Sequence, residues 1–205
     1  QNFFQRQEFY SVYVLTGLLT FTFFNQTSTA IVRNLIWGAD LFRRIYIPRS
    51  SFAIAAVGTS VVNLVLAFVP LISVKFVIQS PISWQIIFFP LNILYLACFS
   101  LGVGLIVASL ALYFHDIVEI YQVVLTGWFY ATPIIYPYDI VPDSTKYWLA
   151  LNPMTHIVQL MRNSFYYNKT PTVEELLLVA GISSCTLVVG WLLFSRQTEE
   201  FVLRA

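Results

Sequence analysis

The feature that most constrains this chain is where its charges are missing. No Asp, Glu, Lys or Arg falls between Glu8 and Arg33, or between Arg49 and Lys75. From Phe76 to His115 the chain is again uncharged, over a stretch too long for one helix. A bilayer core of about 30 Å is crossed by about 20 apolar helical residues. The gaps therefore mark spans at about residues 9–31, 52–74, 84–113, 117–136 and 176–195. The third starts after Ser80-Pro81, because the residue before a proline is pushed out of the α region. Composition agrees: 10% of the 205 residues are charged and 58% hydrophobic, against about 25% charged in soluble domains. Net charge +1 excludes a nucleic-acid binder, and the apolar excess excludes disorder and a secreted disulfide scaffold. The expectation is one all-α integral membrane domain over residues 1–205.

Five spans put the chain ends on opposite sides. Arg33, Arg43, Arg44 and Arg49 form the kind of short basic loop that stays in the cytoplasm. Residues 33–49 and the C-terminal tail are thus predicted inside. Residues 1–8 are predicted outside, with Lys75, Lys146, Arg162 and Lys169 on the same side. A start at Gln1, with no initiator Met and no signal peptide, reads as the middle of a protein, so a cytoplasmic segment and a further span are expected upstream. Asp116-Ile-Val-Glu119 and Thr172-Val-Glu-Glu175 read as capping boxes opening the last two spans, which explains Asp116 and Glu119 better than catalysis does.

Residues 137–168 are too polar to span and rich in aromatics. Asn152-Pro153 reads as a helix start, Asn as cap and Pro at the first position. Met154, Ile157, Val158, Met161 and Phe165 then recur at steps of three and four, an apolar stripe. Gln159, Arg162 and Asn163 are predicted to face water. With a turn or two over 144–151, the segment reads as a hairpin of two short helices dipping into the outer face. Backbone of that kind is tolerated at membrane depth only against protein or a water-filled cavity, which points to a gate. An interfacial helix in an aromatic belt explains the same Tyr and Trp content.

Catalytic signatures are absent. There is no H-E-x-x-H, no G-x-S-x-G, no Cys/His set at metal-ligand spacing and no G-x-x-x-x-G-K-[ST]. No predicted span carries an internal charge, so the marks of proton relays are missing. Cys98 and Cys185 fall within spans, as apolar thiols. The chain reads as a pathway without an engine.

Gly17-Leu-Leu-Thr-Phe-Thr-Phe-Phe24, Asn34-Leu35, Phe42-Arg-Arg-Ile-Tyr-Ile-Pro-Arg49, Phe114-His-Asp-Ile117, Pro133-Ile-Ile-Tyr-Pro137 and Asn152-Pro-Met154 follow one another in order. In these stretches the chain resembles the permeases of ABC-2 type transporters, especially exporters of lipid-linked O-antigen or teichoic acid. The resemblance implies six spans, the first missing here, in a bacterial cytoplasmic (inner) membrane. It implies a homodimer of permease chains docked on two ATP-binding cassette subunits, which bind the ATP and Mg; the chain itself needs no cofactor or metal. It implies an ATPase-coupling helix at 33–49, with Asn34, Leu35, Phe42, Arg43, Arg44, Ile47 and Pro48, and an outer gate at 137–168, with Tyr136, Pro137, Asn152, Pro153, Met154, Gln159 and Arg162. Arg43, Arg44 and Arg49 equally suit anionic lipid headgroups. A glycan path would use aromatic faces and hydroxyls, so Tyr13, Thr20 and Phe24 on the first span and Thr126 and Tyr130 on the fourth are candidate conduit residues; packing is the ordinary role of such side chains. The rival readings are an ABC-2 exporter of a drug or small lipid, an intramembrane enzyme of lipid-linked sugar metabolism, and a non-catalytic scaffold.

Overall fold

The computed structural model describes residues 2–37, 49–77, 84–114 and 116–204, and within these every regular element is helical. Helix α1 is Asn2–Trp37 and α2 is Arg49–Val77. A short 3-10 turn, Trp84–Phe88, leads into α3, Phe89–Ala111, with a proline in its first turn where no amide partner is needed. Helix α4 is Ile117–Ala131. The gate region contains α5, Asp143–Leu151, and α6, Pro153–Phe165, and the chain ends in α7, Val173–Arg204.

Three helices are long and apolar enough to cross a membrane: Ser50–Val77, Trp84–Ala111 and Val173–Arg196. Helix α1, with 36 residues, is long enough at about 54 Å, but its Thr, Asn, Gln and Ser content makes it less apolar. Helix α4 departs from its predicted span of 117–136. It has 15 residues and stops at Ala131, because Thr132 precedes a proline and is extended, with φ −102° and ψ 135°. Residues 132–136 continue without helical structure.

Of the two predicted capping boxes, one forms. Thr172 Oγ1 accepts from the Glu175 amide at 3.2 Å, and Glu175 Oε2 accepts from the Thr172 amide at 3.0 Å. The other does not: Asp116 is itself in the α region and its side chain makes no cap bond. The preceding turn partners the first helical amide instead, Ile117 N–H donating to Phe114 O at 3.1 Å.

Helix α3 is the centre of the bundle, packed on α7, α1 and α2. Its contact with α7 is backbone on backbone. A Cβ on Gly102 would lie 2.6 Å from Thr186 O and Leu187 N, and one on Gly190 would overlap Gly102 O. Such close approach is the packing that small residues permit in lipid, where apolar burial gives no drive. The outer core joins Phe21, Phe24, Phe68, Leu96 and Phe99 to Met154, Ile157, Met161 and Phe165 of the gate. A smaller inner core holds Ile31, Val32 and Leu35 against Ala53, Leu105, Ala108 and Phe194.

Candidate functional site

Two faces of α1 have opposite fates. The predicted conduit residues Tyr13, Thr20 and Phe24 are 3%, 0% and 0% exposed, packed inside the protomer. Phe24 lies 5.4 Å from the Phe99 ring and 5.1 Å from Trp128. Three of the buried hydroxyls of α1 are satisfied within the helix, Thr16, Thr20 and Ser28 each donating at 2.7 Å to the carbonyl four residues earlier, while buried Thr27 Oγ1 has no hydrogen-bond partner. Those three residues therefore line no open path, which corrects the expectation from sequence.

The open face carries Thr22, Asn25, Gln26 and Thr29. Toward α2, a groove of about 300 Å³ is lined by Thr22, Gln26, Ser60 and Asn63. Toward α4, another of about 380 Å³ is lined by Thr22, Asn25, Gln26, Thr126 and Tyr130. Thr126 and Tyr130, the conduit candidates on α4, line this second groove. Gln122 Nε2 donates to Thr29 Oγ1 at 3.1 Å and extends the polar surface inward along α4. Amides and hydroxyls in hydrocarbon lose their water partners at a cost of a few kcal/mol each. These polar groups call for water, a polar ligand or another chain, and they share the uncharged lining with Leu19, Phe23, Leu64 and Ala67 in the first groove and Phe21, Leu125 and Phe129 in the second.

The pair of short helices α5 and α6 is fastened to the bundle at three points. At the first, the Asn152 amide is fully used. Its Oδ1 accepts from the Met154 amide at 3.0 Å and from Trp128 Nε1 at 2.8 Å. Its Nδ2 donates to Thr132 Oγ1 at 3.0 Å and Ala131 O at 3.2 Å. One side chain thus caps α6, with Pro153 at its first position, and ties it to the end of α4. At the second, Lys75 Nζ, from the end of α2, donates to Phe165 O at 2.7 Å, placing a cation at the negative end of the α6 dipole.

The third point corrects another expectation. Arg162 does not face water; it is 1% exposed. Its Nη1 donates to Tyr13 Oη at 2.8 Å and Pro133 O at 2.7 Å, its Nη2 to Ile134 O at 2.8 Å and its Nε to Tyr13 O at 3.3 Å. The guanidinium carbon lies 3.6 Å from the centroid of the Tyr13 ring. Gly17 makes the room: a Cβ there would stand 2.5 Å from Arg162 Nη2. Burial lowers the guanidinium pKa from its ordinary value while Tyr13 raises it, and an arginine stays charged in either case. Sequence held one hint, since Arg162 follows Val158 by four residues and borders the apolar stripe.

The remaining gate residues are half-buried or paired. Met154 and Ile157 are buried, and Gln159, Tyr136, Pro137 and Asn163 half-buried. Tyr136 Oη donates to Tyr130 O at 3.3 Å, and burial raises its phenol pKa. Asn163 Nδ2 donates to Glu175 Oε2 at 3.2 Å. At the inner end, Asn34 is exposed but Leu35 is 5% exposed and packed in the inner core, so it offers no knob to a partner. Phe42, Arg43, Arg44, Ile47 and Pro48 lie outside the described residues. Among the described residues no three His, Cys, Asp or Glu side chains come together to hold a metal. Sequence reasoning missed Trp128, Tyr10 and the Thr22–Thr29 ridge; the ridge was legible as uncharged polar residues at steps of one, three and four.

The model of the ABC-2 type transporter family matches residues 1–166. The chain belongs to that family. This ABC-2 protein is 27% identical over 191 residues to an O-antigen export system permease protein, RfbA, of Myxococcus xanthus, covering 92% of this chain and 74% of the relative. Two proteins of the same name from Klebsiella pneumoniae are 25% and 22% identical over 195 and 194 residues, each covering 94% of this chain and 74% of theirs. The ABC-2 chain is thus a multi-pass membrane protein of a transporter family, similar to proteins named as permeases of an export system.

Proposed function

We propose that this chain is the permease subunit of an ATP-driven exporter moving a lipid-linked polysaccharide, of O-antigen or teichoic-acid type, outward across a bacterial cytoplasmic membrane. The observation that carries the reading is the uncharged polar face of α1 between α2 and α4. Side-chain amides of Asn25, Gln26 and Asn63 and hydroxyls of Thr22, Thr126 and Tyr130 both donate and accept. They match the donors and acceptors of a neutral sugar chain and offer no fixed charge to trap a passing repeat. The names of the three relatives point to the same substrate class.

In this reading two copies place their polar faces toward each other, so that the grooves become one wet conduit. Two separate ATPase subunits, carrying ATP and Mg, dock on the inner side at 33–49, where Arg43 and Arg44 supply donors. The hairpin at 137–168 closes the exit. The test is purification of the chain with the ATPase encoded beside it. A complex of two permeases and two ATPases is expected. Arg43→Glu together with Arg44→Glu should leave topology intact while ATP hydrolysis no longer drives export. A monomeric permease, or export at the unmodified rate in the reversed variant, refutes the assignment.

A further inference from the structure

The non-helical stretch after α4 raises a problem that its neighbours solve. Residues 133–136 lie against the bundle, and their carbonyls lack helical partners. Four successive ones accept from side chains of α1 or α6: Pro133 O and Ile134 O from Arg162, Ile135 O from Tyr10 Oη at 2.5 Å, and Tyr136 O from Tyr13 Oη at 3.4 Å. Tyr13 is the junction, accepting Arg162 on its oxygen while donating to Tyr136 O. Tyr10 stacks on Tyr13 at 6.3 Å, and Tyr166 closes on its edge at 5.2 Å. Every acceptor of the Arg162 guanidinium is uncharged: three backbone carbonyls and one phenol.

From this arrangement we infer that Arg162 is the positioning residue of the outer gate, a latch that joins α1, the Pro133–Tyr136 strip and α6 so that the exit opens only when α1 moves. The inference rests on the conduit reading above. Two physical arguments carry it. First, bonds to neutral carbonyls hold a guanidinium less tightly than a carboxylate would, so the contact can exchange. Second, Pro133 and Ile134 are buried, so the carbonyls that Arg162 serves have no partner once it leaves until water reaches them, and the strip lets go with hydration of the exit. A point charge cannot replace the planar fork, which serves the strip and Tyr13 simultaneously.

The test uses the assembled permease–ATPase complex in vesicles, with Cys98→Ala and Cys185→Ala, and a reporter cysteine from Gln26→Cys on the groove. An impermeant thiol reagent is added from the outer side without ATP. Arg162→Lys should raise the labelling rate per assembled complex at least tenfold. Tyr13→Phe, which keeps the ring and its carbonyl but removes the bridging oxygen, should raise it a few-fold and covers the case in which Arg162→Lys does not assemble. Unchanged labelling per complex in Tyr13→Phe, or in an assembled Arg162→Lys, overturns the latch; a merely structural role would lower the yield of complex without changing that rate. If the reporter labels during ATP-driven turnover but ignores both substitutions, the latch fails and the conduit stands. If it never labels, the conduit reading fails and the latch with it.

Discussion

Asn152→Ala removes the one side chain that fixes the start of the gate helix, and its cost can be assembled from the bonds it makes. Losing the cap on the Met154 amide costs about 1 kcal/mol. The Trp128 indole N–H, partly buried, loses its acceptor for about 1–2 kcal/mol more. Ala131 is exposed, so its carbonyl recovers a water. The sum is about 2–3 kcal/mol. At about 1.4 kcal/mol per decade, the detached hairpin becomes roughly 30- to 100-fold more populated. Asn152→Asp keeps both accepted bonds and loses both donated ones, so its effect should fall near tenfold. Hydrogen exchange read by mass spectrometry reports this opening directly: amides of 143–156 should exchange faster in the stated order, with those of 96–108 in α3 unchanged. Equal protection in Asn152→Ala, or acceleration spread evenly into α3, would refute the reasoning.

Gly190→Ala should destabilise the protein by about 1–3 kcal/mol through overpacking against Gly102 O, whereas Gly58→Ala, which meets nothing within 4 Å, should stabilise it by about 0.5–1 kcal/mol; thermal unfolding in mild detergent ranks the two. Cysteines placed at half-buried Gln159 and at Ile157, 2% exposed, should label from outside at rates differing by at least tenfold, and equal rates would mean that α6 does not hold its packed face.

Helix α6 was legible in the sequence because its causes are local: a capping Asn, a proline and a stripe at helical spacing all lie within Asn152–Phe165. The burial of Arg162 was not, because its partners are a tyrosine 149 residues away and carbonyls 28 and 29 residues away. Charge scarcity placed the long helices well, yet gave α4 five residues too many, since an apolar run through Pro133 looks the same whether helical or extended. The face of α1 was misjudged for another reason. Buried Thr16 and Thr20 satisfy their own helix, so hydroxyls alone do not say which side stays open; the adjacent side-chain amides, which cannot do the same so cheaply, do.

The glycine crossing of α3 and α7 has a mechanical consequence. Where two helices meet through backbone atoms, their separation is fixed by the main chain, with no side-chain rotamer left to adjust it. That pair behaves as a stator. The open grooves lie away from that wall, one between α1 and α2 and the other between α1 and α4, and a helix that pivots against a fixed wall moves most at its ends. Helix α1 borders both grooves and carries Tyr10 and Tyr13 against the 133–136 strip, so a tilt of α1 would change the width of both grooves and the contacts of the strip together.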